Sequence, residues 1–377
     1  MTSPLVAILA VALLFYVAIP GVGAFGVRQR WRRFRRRVTE TSLFPPVTYA
    51  SVRATRDDVA TGTRARFLGA LESIQGEHTL WIRGADLTIA VDMSQSDVYM
   101  VSQADSARVD NPPTRTSWKR VGSLPEGIGA LVSGELDVSG VHPVIRSNGG
   151  EPVFVVFFDG DPPSLVRRCL WSGRQLNEYW NSVTPGALAG GAFALIVVAY
   201  VLMRQPISPG FARLAVALAS VPLLPLLPPG VALFYLYRRT WRRGRILRAH
   251  RDVVYSPLRY FRGDEPCAEL PNGGGYCRLQ TREDEVRALV PDGLTMIETP
   301  VSDATPQWTL FGEPGREPLG PPSDPLSEWV AVKGNPLATS LRCQKQARCY
   351  ELSSGFILGA ALVLNFVLVA VLVRVLL

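Results

Sequence analysis

The chain has 377 residues, 47% of them hydrophobic, and a formal net charge of +8. It is longer than one typical domain, and its apolar content with positive mean hydropathy points away from an ordinary soluble globule and toward a membrane protein. The charge is positional: seven arginines fall between Arg28 and Arg37 and seven more between Arg238 and Arg251, which excludes an evenly basic surface.

Taken in chain order, residues 1–27 form the first predicted span, with an apolar run from Pro4 to Phe25; a helix needs ~20 residues to cross the hydrocarbon core. Its leader Met1-Thr2-Ser3-Pro4 lacks a basic residue and its arginines follow the apolar run. That reverses the charge order of a secretory signal, so the segment reads as a retained anchor. Residues 28–160 read as a β-rich soluble domain. Leu80 to Arg83, Leu87 to Asp92 and Ala130 to Val138 alternate apolar and polar residues, and Val153 to Phe158 is continuously apolar, the pattern of a strand buried on both faces. Short glycine-punctuated strands of this kind, including the stretch around Ser123-Leu124-Pro125-Glu126-Gly127, suit a small barrel or sandwich, with an OB-type barrel the nearest pattern.

Residues 161–185 read as a juxtamembrane helix. Asp161 stands at the N-cap and Pro162 at the first helical position, and Leu165, Cys169, Leu176, Tyr179 and Val183 make an apolar stripe. The second span covers 186–203 and opens with Gly186-x3-Gly190. The third covers 211–237 and holds Pro222, Pro225, Pro228 and Pro229, which must break its hydrogen-bond ladder. A second soluble domain covers 238–334, with strands expected at Tyr276 to Gln280, Leu294 to Glu298, Trp308 to Phe311 and Glu328 to Val332. A second juxtamembrane helix covers 335–354, and a fourth span covers 355–377, opening with Gly355-x3-Gly359. The glycine pairs are candidate helix-packing positions, because small residues let helix backbones approach closely.

Several motifs recur in the same order. Trp31-Arg32-Arg33-Phe34-Arg35 returns as Trp241-Arg242-Arg243-Gly244-Arg245, and Gly160-Asp161-Pro162 with Arg168-Cys169 returns as Gly334-Asn335-Pro336 with Arg342-Cys343. The fold class this implies is a multi-pass α-helical membrane protein. It has four transmembrane helices, two membrane-adjacent β-rich domains, and an internal duplication of span, arginine cluster, β domain, helix and span. Basic residues beside spans stay on the cytoplasmic side. Both termini are therefore expected outside the plasma membrane of a bacterium and both soluble domains inside. Arg32, Arg33, Arg35, Arg242, Arg243 and Arg245 are assigned to the membrane surface, where each gains ~1 kcal/mol from anionic headgroups. That reading of the clusters replaces nucleic-acid binding.

The chemistry-bearing residues make no catalytic pattern. The only histidines are His78, His142 and His250, and no Walker loop, dinucleotide fingerprint, serine elbow or paired-histidine motif occurs. Cys267-x9-Cys277 and Cys343-x5-Cys349 lack the two-to-four-residue gaps of structural zinc sites, so no metal and no cofactor is expected. The functional expectation is a non-catalytic scaffold or binding protein presenting tandem cytoplasmic β domains to a protein partner. Besides the lipid bilayer, that partner is an unidentified cytoplasmic or membrane protein, or a second copy of the chain. A transporter subunit using the proline-broken third helix is the alternative, and a metal or redox role for the cysteines of the second domain is the third.

Overall fold

A proline inside an apolar run removes a rung of the helical hydrogen-bond ladder, and the four apolar stretches meet that difficulty differently: the first carries Pro20 just after a π-helical turn over Leu14–Ala18 and still runs on as helix. Among the described residues three helices are long and apolar enough to cross a membrane: Pro4–Leu43, Thr184–Met203 and Pro336–Val375. The computed structural model describes residues 3–58, 64–101, 113–118, 124–174, 176–204, 209–228, 230–263, 265–269, 275–289, 294–302, 305–313 and 324–376. The third stretch departs from a continuous span. It runs as a helix over Pro209–Ala219, a 3₁₀ segment over Val221–Leu226 and a second helix over Gly230–Tyr255. Pro222 and Pro225 lie in the 3₁₀ segment and Pro228 in the turn after it, while Pro229 lies outside the described residues. Proline supplies no amide hydrogen, so carbonyls in the preceding turn lose their helical partners.

The chain divides into two compact units. One comprises Met1–Arg33, Gln175–Leu247 and Lys345–Leu377, and the other Phe34–Arg174 and Arg248–Gln344. In the first, Asn365 braces the proline break: its amide donates to the carbonyls of Leu224 at 2.6 Å and Leu227 at 3.1 Å, beside the backbone amides of Leu227 and Val231. Asn365 is 1% exposed, and a side chain at Gly230 would collide with its amide. Small residues also let the first two spans meet, since a Cβ on Gly191 would lie 2.6 Å from Phe15 and 2.7 Å from the Tyr16 ring.

The segment before the second span differs from the expected helix. Helix is confined to Leu165–Trp171, followed by Gly173 at φ 68°, a left-handed conformation that favours glycine. Asp161 makes no side-chain cap. In the first unit the irregular stretch that follows is pinned by polar contacts: Asn177 to the Tyr237 hydroxyl at 2.8 Å, the Tyr179 hydroxyl to the Tyr16 carbonyl at 2.8 Å, and Asn181 to the Pro20 carbonyl at 3.2 Å. In the later segment Asn335 does cap, accepting from Leu337 at 3.0 Å and Ala338 at 3.2 Å, and its helix continues unbroken over Pro336–Leu376.

The second unit holds two sheets. The first contains β1 (Arg64–Gln75), β2 (Thr79–Arg83), β3 (Thr88–Asp92), β4 (Ser96–Val101), β5 (Thr114–Thr116), β6 (Gly129–Asp137), β7 (Val144–Arg146) and β8 (Val153–Phe158). β1 pairs with β6 along its first half and with β2 along its second, bending at a bulge between Leu71 and Ser73. The strand order β1-β2-β3-β7-β6 then closes on β1, with β3 and β7 parallel: a five-stranded barrel in OB-type order. Gly69 sits where β1 changes partner; a Cβ there would lie 2.4 Å from the Arg83 carbonyl oxygen.

β8 is buried at all six positions, and its alternation divides two cores. Val153, Val155 and Phe157 join the barrel interior, while Phe154, Val156 and Phe158 pack with Phe34, Val38, Leu165, Cys169 and Leu326. Leu326 belongs to the segment carrying the second sheet, so the two β regions share a core. That sheet contains β9 (Cys267–Glu269), β10 (Gly275–Arg282), β11 (Leu294–Ile297), β12 (Gln307–Gly312) and β13 (Trp329–Lys333), ordered β11-β13-β12-β10-β9. It is open among the described residues and lacks the closure of the first. The helix Glu283–Leu289 supplies Val286 to its core of Trp308, Leu310, Trp329 and Ala331.

Asn365→Leu removes the donor to both carbonyls and is expected to cost about 1–2 kcal/mol, read as a lowered unfolding midpoint in detergent. Leu364→Ala, at an exposed neighbouring position, should shift the midpoint far less. Equal midpoints for wild type and Asn365→Leu would show that the break does not need its asparagine.

Candidate functional site

Burying an arginine on a strand demands a full set of acceptors, and Arg66 of β1 has one. It is 2% exposed; its Nε donates to the Phe44 carbonyl at 2.7 Å, and its two Nη groups grip both carboxylate oxygens of Asp324. Asp324 also accepts from the Leu326 amide at 3.0 Å, so one carboxylate orders its own turn and neutralises the strand arginine.

Beside this pair opens a small cleft with about 90 Å³ of free space. Leu43, Val166, Val253, Pro257, Ile297 and Val330 give it apolar walls. Its polar lining includes Ser42, Arg167, Tyr260, Tyr276, Asp324 and Glu328. Arg167 Nε lies 3.3 Å from Glu328 Oε1, and the Thr295 hydroxyl donates to Glu328 Oε2 at 3.2 Å. Burial pushes the Glu328 carboxyl above its usual range, against the opposite pull of Arg167 and Thr295. The Tyr260 and Tyr276 rings stack with centroids 4.3 Å apart, and burial raises both phenols, that of Tyr276 well above its ordinary value. Each charge in the lining thus has a compensating partner, and the phenols stay neutral at physiological pH. The cleft presents shape, apolar walls and hydrogen-bonding groups.

A smaller recess of about 40 Å³ is lined by Arg37, Thr41, Arg64, Glu135 and Glu151 among others. Arg37 also donates to Asp97 at 2.5 Å, and Asp97 accepts from Arg115 at 2.6 Å. Elsewhere in the unit, His250 meets Trp171 edge-on with centroids 5.0 Å apart, and burial lowers its pKa, which holds the imidazole neutral. Cys169 is fully buried and its thiol is pushed up to about 12 by desolvation, so it is a packing residue with little thiolate. Among the described residues no group of three or more His, Cys, Asp or Glu is placed to hold a metal ion.

The arginines assigned to the membrane surface fall in different environments. Arg32, Arg33 and Arg243 are exposed and Arg35 and Arg242 half-buried, whereas Arg245 is 4% exposed and pairs with Glu178 at 2.6 Å. Arg245 is thus engaged inside its unit and is not an open headgroup contact. Of the assigned glycines, Gly190 has Phe15 3.3 Å from its Cβ position, while Gly186, Gly355 and Gly359 have open space. The close approach falls one residue later, at Gly191. Sequence reasoning passed over Arg66, Asp324, Arg167 and Glu328. Arg66 sits in a run of alternating residues where its burial leaves no local signal, and Asp324 lies inside a proline-rich stretch with no period to mark it. A comparison of the chain with protein-family models, curated proteins and solved structures finds no match.

Asp324→Ala strands a buried guanidinium and is expected to destabilise the soluble unit by about 3–5 kcal/mol. The double variant Arg66→Met/Asp324→Leu should recover most of that loss, and chemical denaturation of the three proteins decides it. Glu328 carries a pH signature. A carboxyl whose folded pKa is raised contributes stability that is present below the ordinary value of 4.5 and is lost as pH rises through the folded value. Wild type should therefore fall relative to Glu328→Gln as pH is raised from 4.5. Parallel melting curves at every pH would contradict the raised carboxyl.

Proposed function

We propose that the chain is a membrane-anchored, non-catalytic binding protein whose soluble unit receives a segment of a protein partner in the cleft beside Arg66 and Asp324. The observation that carries this reading is a cleft with apolar walls and a self-neutralised polar lining. An apolar recess with a few oriented hydrogen-bonding groups is the usual form of a recognition site. Both carboxylates of the cleft are paired with arginines, Asp324 with Arg66 and Glu328 with Arg167, which suits a recognition surface. The fitting partner is an extended segment with an apolar anchor and polar backbone groups for the tyrosines and Ser42.

The same proposal includes four membrane crossings, with the broken third stretch completing the set, and a duplicated ancestry for the two halves. Motif order supports the duplication, and the flanking arginines support a cytoplasmic soluble unit and outer termini in a bacterial plasma membrane. A transporter subunit is the second reading, favoured by the 3₁₀ break at Val221–Leu226. Asn365 braces that break from within the chain, which suits a structural role better.

A photo-crosslinking residue at Ser327, which lines the cleft, should give a discrete protein adduct in cells. That adduct should disappear when Leu43→Trp fills the space, and the same probe at exposed Glu126 should not form it. An unchanged adduct with Leu43→Trp, or none at Ser327, rejects the cleft as the docking site. For topology, single cysteines replace Gly149 and Gly210, both with open space around them, in a cysteine-free background. An impermeant thiol reagent on intact cells should label Gly210→Cys alone, and labelling of Gly149→Cys would place the soluble unit outside.

A further inference from the structure

The outer two strands of the second sheet bring two cysteines together that lie ten positions apart in sequence. Their antiparallel register sets Cys267 of β9 directly opposite Cys277 of β10. The Arg278 amide donates to the Pro266 carbonyl at 2.7 Å, so the neighbouring 266–278 position carries the ladder bond. Bonded and non-bonded pairs alternate along an antiparallel ladder, which makes the cysteine pair non-hydrogen-bonded. At such positions the α-carbons approach to about 4.5 Å with both side chains on one face, and a disulfide requires about 4.4–6.8 Å. No backbone rearrangement stands between these thiols and a bond.

Their environments differ in the way sequential exchange chemistry uses. Cys267 is exposed on an edge strand, while Cys277 is half-buried on the strand inside it. The Cys277 thiol is pushed up to about 11, first by burial and then by the hydrogen bond it makes with the neighbouring Cys267. Cys169 and Cys343 are buried, and Cys349 is exposed on the helix Pro336–Leu376, where its nearest cysteine in sequence, Cys343, points to another side of the helix.

We propose that Cys267 and Cys277 form a thiol–disulfide exchange site whose oxidant is a low-molecular-weight disulfide. The Cys267 thiolate attacks one sulfur of the small disulfide, whose S–S bond breaks and releases one small thiol carrying a proton. Cys277, having given its proton to solvent, then attacks the Cys267 sulfur, and the second small thiol leaves. Two protein thiols are oxidised to one disulfide and one small disulfide is reduced to two thiols. The product fastens the edge strand β9 covalently to β10, its only strand partner among the described residues. In a reducing compartment such a bond is transient and reports the local thiol–disulfide balance.

The test uses the full chain in detergent, reduced, then incubated with glutathione disulfide, alkylated in denaturant and mapped by peptide mass. Wild type should link the Cys267 and Cys277 peptides with no glutathione on either, while Cys349 takes up glutathione as a lone exposed thiol. Cys277→Ser should trap one glutathione on Cys267, and Cys267→Ser should leave Cys277 far slower to react. Glutathione retained on Cys267 or Cys277 of wild type, or both thiols still free once Cys349 has reacted, overturns the proposal.

Discussion

The soluble unit depends on the pairing of Arg66 with Asp324. The two residues are separated by 258 positions in sequence, so their contact is made only when both β regions have assembled. A guanidinium buried on a barrel strand is costly alone, and its cost makes the loop carrying Asp324 obligatory. Leu326 follows two residues later and enters the core of Phe34, Phe154 and Phe158. The charge pair sets where the loop docks, and the apolar contact beside it supplies the burial that holds it there. Replacing both partners with apolar residues need not cost stability, so the pair acts mainly to specify one arrangement.

A second long-range contact operates in the apolar unit, at backbone rather than at a buried charge. The prolines of the third stretch supply no amide hydrogen, and the chain there runs as a 3₁₀ segment. The Asn365 amide adds a donor to the carbonyls of Leu224 and Leu227, which also accept from the Leu227 and Val231 amides. Gly230 is small because that amide must pass it. The break and the asparagine that braces it lie 141 residues apart.

The sequence was legible where a local period carries the information. Val153 to Phe158 reads as a doubly buried strand because both of its faces meet apolar cores, and β10 to β13 fall close to their expected positions for similar reasons. What periodicity cannot express is partnership. The parallel pairing of β4 with β8, the closure of β1 on β6 and the partner of Arg66 are all long-range choices. The cleft was missed for the same reason, since its lining comes from segments that are distant in sequence. The cysteines illustrate the limit most directly: spacing argued against zinc, but only the register of β9 and β10 reveals that Cys267 and Cys277 face each other.

The two Gly-x-Pro joints show how similar motifs reach different structures. Twelve residues beyond Asp161 stands Gly173, and at the same distance beyond Asn335 stands Ala347. The helix ends at Trp171, and Ser172 and Gly173, the latter at positive φ, turn the chain toward the stretch where Asn177, Tyr179 and Asn181 find their separate partners. Ala347 is fully buried and a β-carbon disfavours that conformation, so the later helix runs on through Leu376. The first β region is thus followed by a turn that leads into a stretch held by polar side chains, and the second by one continuous helix.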